Sequence, residues 1–181
     1  MGEIWARIEE HLQLLAPECH AALPPGASAD RIEQLESMLD ITLPDDVRAS
    51  WMIHDGSGEK WILPGGELLS LRGIVEQWYV WHDLIGNGEL DDSVADPHGP
   101  IQPLWWNLKW FPVTNNGGGD HHCVDTDPAP GGEVGQIIAF GHDVGPECVL
   151  AGSFREYLLD YADRLAAGEY HFDEDGVKLG E

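Results

Sequence analysis

The sequence predicts an α+β fold, a single domain in which N-terminal helices and a C-terminal helix pack on a mostly antiparallel sheet. Apolar residues recur at helical spacing in the first half of the chain and again near its end. Between these parts lie short apolar segments separated by Gly and Asp clusters, a pattern typical of strands and turns. The connections are too short for crossover helices, so neighbouring strands should pair antiparallel.

Five segments with apolar residues three and four positions apart predict the helices. Ser28 or Asp30, Ser70 and Ser153 precede three of them and can each cap a first helical turn. Pro44 precedes another, and proline is well tolerated where a helix begins. The predicted helices cover residues 4–15, about 28–39, 44–56, 70–86 and 153–168.

The strands are predicted mainly in the second half of the chain. A polar stretch rich in Gly, Asp and Pro at residues 87–103 is expected to form a long loop. We expect an N-terminal helix and linker at 1–27, the main domain at 28–167 and a C-terminal tail or hairpin at 168–181. The predicted strands cover residues 61–63, 68–69, 110–113, 121–125, 136–140 and 148–151, with a terminal hairpin over 170–179 that turns at residues 175–176.

The charge of the chain restricts its partners. Its 181 residues include nine Lys and Arg against 33 Asp and Glu, for a formal net charge of -24. Such a chain repels nucleic-acid phosphates and anionic lipid surfaces, so we expect neither as a partner. The acidity favours capture of a basic protein, although it also has a simpler explanation in solubility. Nothing in the sequence indicates an oligomeric state.

The cysteines and the N-terminal sequence indicate a cytoplasmic protein. The three Cys have neither the number nor the spacing of a disulfide framework or a zinc finger, which favours reduced thiols. The first residues show no basic region followed by an apolar run, so we predict no signal peptide. No apolar run is long enough for a membrane span.

One segment concentrates groups that bind metals. His121, Cys123 and Asp125 would lie on one face of a strand, and imidazole, thiolate and carboxylate are all zinc ligands. A metal-dependent enzyme built on these three residues is therefore one hypothesis. The alternative is an ordinary strand that enters a turn closed by Asp125 and Asp127 through side-chain-to-backbone hydrogen bonds.

Six short segments follow one another in a fixed order along the chain. They are Leu43-Pro44-Asp45-Asp46 with His54-Asp55-Gly56, Leu68-Leu69-Ser70, Trp110-Phe111-Pro112-Val113, Gly119-Asp120 through Asp125 to Pro128, Gly135-Gln136-Ile137-Ile138 and Ser153-Phe154-Arg155-Glu156-Tyr157-Leu158. In this order the segments resemble the SUKH superfamily, and its Smi–Knr branch in particular. The resemblance covers about residues 28–167, although the acidic loop is longer than expected and two histidines stand where aromatic residues are common.

The resemblance implies an α+β protein that is not an enzyme, with no catalytic residues, no metal and no cofactor. It implies one of two roles. The first is a bacterial immunity protein that neutralises a polymorphic toxin, which the acidity suggests is a basic toxin domain. The second is an interaction scaffold that regulates cell-wall synthesis. For either role we predict a partner-binding surface made of Asp55, Trp61, Asp91, Asp92, Trp105, Asp120, Asp125 and Asp127.

Overall fold

The computed structural model describes residues 1–90, 92–173 and 176–179, and it confirms the α+β fold with antiparallel sheets. Serine side chains cap three helices as predicted, since Ser28, Ser70 and Ser153 each accept a hydrogen bond from the backbone N–H three residues on. The helices are α1 Gly2–Leu15, α2 Pro17–Ala22, α3 Ala29–Leu39, α4 Asp45–Trp51, α5 Leu71–Gly86 and α6 Phe154–Ala166.

The strands in the described part of the chain form three sheets. A three-stranded sheet has the order β1-β2-β4, a four-stranded sheet the order β3-β5-β6-β7, and a terminal hairpin pairs β8 with β9. All of these pairs are antiparallel. The strands are β1 Trp61–Leu63, β2 Gly66–Leu68, β3 Trp110–Pro112, β4 Thr114–Asn115, β5 His121–Asp125, β6 Gln136–Gly141, β7 Gly145–Ala151, β8 Tyr170–Asp173 and β9 Gly176–Leu179.

The four-stranded sheet has a helix on each face. Successive side chains of a strand point to opposite faces. The ring of His121 therefore lies 6.4 Å from that of Trp81 on α5, whereas the ring of His122 lies 5.5 Å from that of Tyr157 on α6. Because the side chains alternate along β5, the neighbouring residues His121 and His122 contact different helices, α5 and α6.

Most of the tryptophans belong to the core. Six of the eight are buried, and two of these, Trp5 and Trp51, are fully buried on the N-terminal helices α1 and α4. Trp5 also donates from Nε1 to Ser50 Oγ at 2.8 Å, which ties α1 to α4. Only Trp61 and Trp105 remain partly exposed, and both were predicted to lie on the binding surface.

Two helix boundaries differ from the prediction. No helix was predicted between residues 15 and 28, but Pro17 starts the short helix α2, because proline lacks only an N–H that the first turn leaves unbonded. Helix α4 ends at Trp51 rather than at residues 55–56, since the backbone at Gly26 crosses its end. A Cβ on Gly26 would lie 1.9 Å from the carbonyl oxygen of Met52.

Two strands near the first hairpin also differ from the prediction. Strand β2 covers Gly66–Leu68 rather than residues 68–69, and the short strand β4 was not predicted. The two differences are linked, because β4 pairs with β2. Gly66 has φ +112, and a Cβ there would lie 2.1 Å from the carbonyl oxygen of Asn115. The missing side chain lets the two strands approach.

Candidate functional site

A cleft of about 480 Å³ opens at one end of the four-stranded sheet. Its walls come from the turn between β1 and β2, the start of β5, the end of β6 and the turn into β7. We call it the His122 cleft. The side chains that line it include those of Trp61, Asp120, His122, His142, Asp143 and Glu147.

His122 is a mostly buried, neutral side chain in this cleft. Its Nδ1 lies 2.7 Å from the hydroxyl of Tyr157, and the two rings meet edge to face. Burial lowers the pKa of His122 to about 4, with a further contribution from neighbouring His121. Burial also raises the pKa of Tyr157, so the phenol keeps its proton. The imidazole is therefore neutral at physiological pH, and its Nε2 has no hydrogen-bond partner among the described residues.

The turn between β1 and β2 packs closely against the His122 ring. A Cβ on Gly65 would lie 2.6 Å from Oγ1 of Thr114 and 2.7 Å from Nδ1 of His122. Oγ1 of Thr114 also accepts a hydrogen bond of 2.8 Å from the backbone N–H of His122. The position before β2 must therefore be glycine for the turn to form this wall of the cleft.

At the rim of the cleft, the His142 ring lies between the carboxylates of Asp120 and Asp143. Oδ1 of Asp120 accepts from the backbone N–H of His142 at 2.9 Å and lies 2.8 Å from its ring Nδ1, while Asn116 donates to Oδ2. These bonds, led by the one from the backbone of His142, lower the pKa of Asp120. The bond to Asp120 raises the pKa of His142, whose Nε2 lies 3.0 Å from Asp143.

The structure places two of the predicted partner-binding residues, Trp61 and Asp120, in the His122 cleft. Asp92 is exposed in the loop at 87–103, whereas Asp91 lies outside the described residues. Trp105 lines a smaller cleft of about 230 Å³ together with Leu90 and Ser93, which flank these acidic residues.

The other three predicted residues hold the fold together. The Asp55 carboxylate is 10% exposed, pairs with Arg31 at 2.7 Å and accepts from the backbone N–H of Leu71 at 2.8 Å. Asp125 is fully buried and accepts from the backbone of Asp127, which closes the predicted turn. Asp127 is exposed but accepts from Asn107. Internal bonds thus engage all three carboxylates.

The metal hypothesis gains no support from the arrangement of its three residues. His121, Cys123 and Asp125 are all buried. Burial raises the pKa of the Cys123 thiol well above its ordinary value, which makes thiolate formation unfavourable. Within residues 1–90, 92–173 and 176–179, no group of three or more His, Cys, Asp or Glu side chains is placed to hold a metal ion.

Sequence reasoning missed several residues of the cleft, namely Gly65, His142, Asp143, Glu147 and the polar role of Tyr157. Their relevance depends on strand register. His121 pairs with Phe140 across β5 and β6, and this pairing brings Asp120 and His142 together. The Tyr157 hydroxyl carried no sequence signal beyond its place on the apolar stripe of α6.

Residues 26–160 match the model of the SMI1/KNR4 family (SUKH-1). Across the described part of the chain, no helix combines the length and the apolar character needed to cross a bilayer.

Three fungal proteins are similar to almost the whole chain. The cell wall biosynthesis/cell cycle regulator smi1 of Schizosaccharomyces pombe is 31% identical over 195 residues, which cover 99% of this chain and 39% of that protein. A glucan synthesis regulatory protein of Neurospora crassa is 30% identical, covering 97% and 40%. The cell wall assembly regulator SMI1 of Saccharomyces cerevisiae is 25% identical, covering 94% and 41%. The chain thus spans about two fifths of the length of these relatives.

Proposed function

The chain belongs to the SMI1/KNR4 family (SUKH-1), and we propose that it is a non-catalytic protein-binding module that acts as a regulatory scaffold in cell-wall synthesis. The observation that carries this proposal is the similarity, along almost the full chain, to fungal proteins named as regulators of the cell wall. Those relatives are named as regulators and not as enzymes, which supports a role in binding rather than in catalysis.

The immunity role that we expected first is less well supported. It rests on the resemblance to the superfamily alone, whereas the similar proteins are regulators of wall synthesis. Acidity suits both roles, because a strongly negative protein attracts basic partners of any kind. The regulatory role is therefore the one that we propose, with a basic protein as its partner.

The distribution of charge supports a basic partner. Among the described residues, ion pairs to Asp or Glu engage six of the nine Lys and Arg side chains, and the 33 acidic residues of the sequence leave a large excess of negative charge. The negative electrostatic potential of such a protein speeds its association with a positively charged surface and orients the two proteins as they meet. We also propose a cytoplasmic location, which the three free thiols support.

A chimera in Schizosaccharomyces pombe tests the proposal. This chain replaces the matched stretch of the smi1 relative, and growth is measured in the presence of a wall-digesting enzyme. We expect the chimera to restore resistance. A matched chimera with Trp51→Ala, which removes a fully buried core side chain, should fail to do so. A stably expressed chimera that leaves cells as sensitive as a strain lacking the stretch contradicts the proposed role.

A further inference from the structure

The His122 cleft carries more negative than positive charge. Three carboxylates line it, those of Asp120, Asp143 and Glu147, and none of the described lining residues is Lys or Arg. His142 lies between the first two carboxylates. Glu147 is exposed and forms no ion pair with any residue in the described ranges. The cleft therefore offers at least one carboxylate without an internal cation, at a site where a ligand can reach it.

An aromatic ring at the same cleft already contacts a cation. Trp61 lines both the His122 cleft and a neighbouring cleft of about 700 Å³. The ammonium of Lys178 lies 5.6 Å from the centroid of the Trp61 ring, within the range of a cation–π contact. Lys178 lines only the neighbouring cleft. Trp61 is thus a half-buried aromatic wall of the kind that basic side chains pack against.

The remaining surfaces suit the stem of a basic side chain. Pro64, Ala139 and the 56%-exposed Val144 contribute apolar surface to the cleft. His122 lies among them as a neutral imidazole, so it does not repel a cation, and its Nε2 has no partner among the described residues. Lys and Arg combine an aliphatic stem with a charged head, and they bury the stem while the head meets polar groups.

We propose that the His122 cleft binds the side chain of an arginine or lysine of a partner protein, with its stem along Trp61 and its charged head at Glu147 and Asp143. That the basic side chain belongs to a protein rests on the proposed function. The preference of the cleft for a basic side chain does not. An anionic ligand would meet three carboxylates and is disfavoured. A neutral sugar, which also packs on tryptophan, is the competing occupant that the experiment separates.

Small probes test the cleft without the partner. The full chain is titrated at physiological salt with acetyl-arginine methylamide, acetyl-lysine methylamide, the neutral arginine isostere acetyl-citrulline methylamide, and a glucose trisaccharide. Binding is followed by the indole N–H signal of Trp61 in amide NMR spectra. We expect saturable shifts of Trp61 and Glu147 with one or both basic probes, and the tighter of these identifies the preferred side chain. Citrulline and the sugar should leave both signals in place.

Matched variants locate the contact. Glu147→Gln should weaken binding of the preferred basic probe about fivefold, the effect of losing one exposed ion pair. Asp143→Asn should weaken it to a smaller degree because His142 already partners Asp143. Glu10→Gln removes the same charge from the exposed face of α1 and should leave binding unchanged.

Three results overturn the inference. They are equal shifts with citrulline, shifts with the sugar alone, and equal weakening by Glu147→Gln and Glu10→Gln, which would reflect net charge only. A chimera that restores wall resistance while the probes fail to bind would reject this cleft and leave the proposed function standing.

Discussion

The hydroxyl of Tyr157 lies 2.7 Å from Nδ1 of His122, so a polar contact joins helix α6 to strand β5 beneath the cleft. Both partners are largely shielded from water, and each would be left without a bonding partner if the other were removed. A buried polar group that loses its partner destabilises the fold more than one average hydrogen bond stabilises it. This contact is therefore a sensitive point of the structure.

Tyr157→Phe should lower the free energy of unfolding by about 1–3 kcal/mol, because Nδ1 of His122 stays buried and unpaired. Urea unfolding followed by tryptophan fluorescence measures the change. Tyr79→Phe is the matched control: Tyr79 is 41% exposed, and its hydroxyl has no hydrogen-bond partner among the described residues. That substitution should change stability by less than about 0.5 kcal/mol. Equal losses for the two variants would contradict the importance of the buried contact.

His122 should make the protein less stable in mild acid. Its pKa is about 4 in the folded state and 6.5 when exposed, so the unfolded chain binds the proton first as the pH falls. Its contribution to stability is complete above pH 6.5 and is lost as the pH falls from 6.5 to 4, by at most about 3 kcal/mol. Comparing unfolding of the native chain and of His122→Gln over this range isolates the effect from other titrating groups. Parallel stability profiles for the two proteins would show that His122 is not buried as described.

His142 should titrate above its ordinary value of 6.5, because Asp120 holds its proton. The sign is opposite to that of His122: the pair stabilises the fold below pH 6.5 as long as Asp120 is ionised, and this contribution is lost as the pH rises through the raised pKa of His142. NMR titration of the His142 ring checks the direction. Asp120→Asn should lower the pKa of His142 more than Asp143→Asn does. The exposed control Asp96→Asn should not change it. A larger effect of Asp143 would contradict the geometry.

Gly65→Ala should lower the free energy of unfolding by about 1–3 kcal/mol, since the added methyl would overlap Thr114 and the His122 ring. Gly86→Ala is the control, because the structure has open space around a Cβ at that helical position. This second substitution should be neutral or stabilise the helix by up to about 1 kcal/mol. Thermal unfolding of both variants measures the difference. A loss of stability at Gly86 as large as that at Gly65 would show that the clash is not the cause.

Local chemistry explains which parts of the fold were predictable. Ser70 and Ser153 marked the starts of α5 and α6 because capping involves residues only three positions apart. By contrast, the end of α4 depends on Gly26, which approaches Met52 from a distant part of the chain. A helix end that is set by a long-range contact leaves no pattern in the nearby sequence.

The candidate site was predicted in part for the same reason. Trp61 and Asp120 were predicted to belong to the partner-binding surface, and both line the cleft. Asp125 was proposed for the same surface, but it lies in the interior and accepts a hydrogen bond from Gln136. Residue type alone cannot separate an exposed carboxylate from one that closes a turn.

The fold class, the acidity and the family could be read from the residues alone, because composition, apolar periodicity, capping and short motifs are properties of the chain before it folds. The contacts between polar groups, by contrast, follow from how the elements pack. The register of β5 with β6 brings Asp120 to His142, and the packing of α6 brings Tyr157 to His122. Such contacts join residues far apart in sequence. Burial then shifts the pKa values of His122 and Tyr157, whereas hydrogen bonding shifts those of Asp120 and His142, so the cleft takes its chemistry from packing.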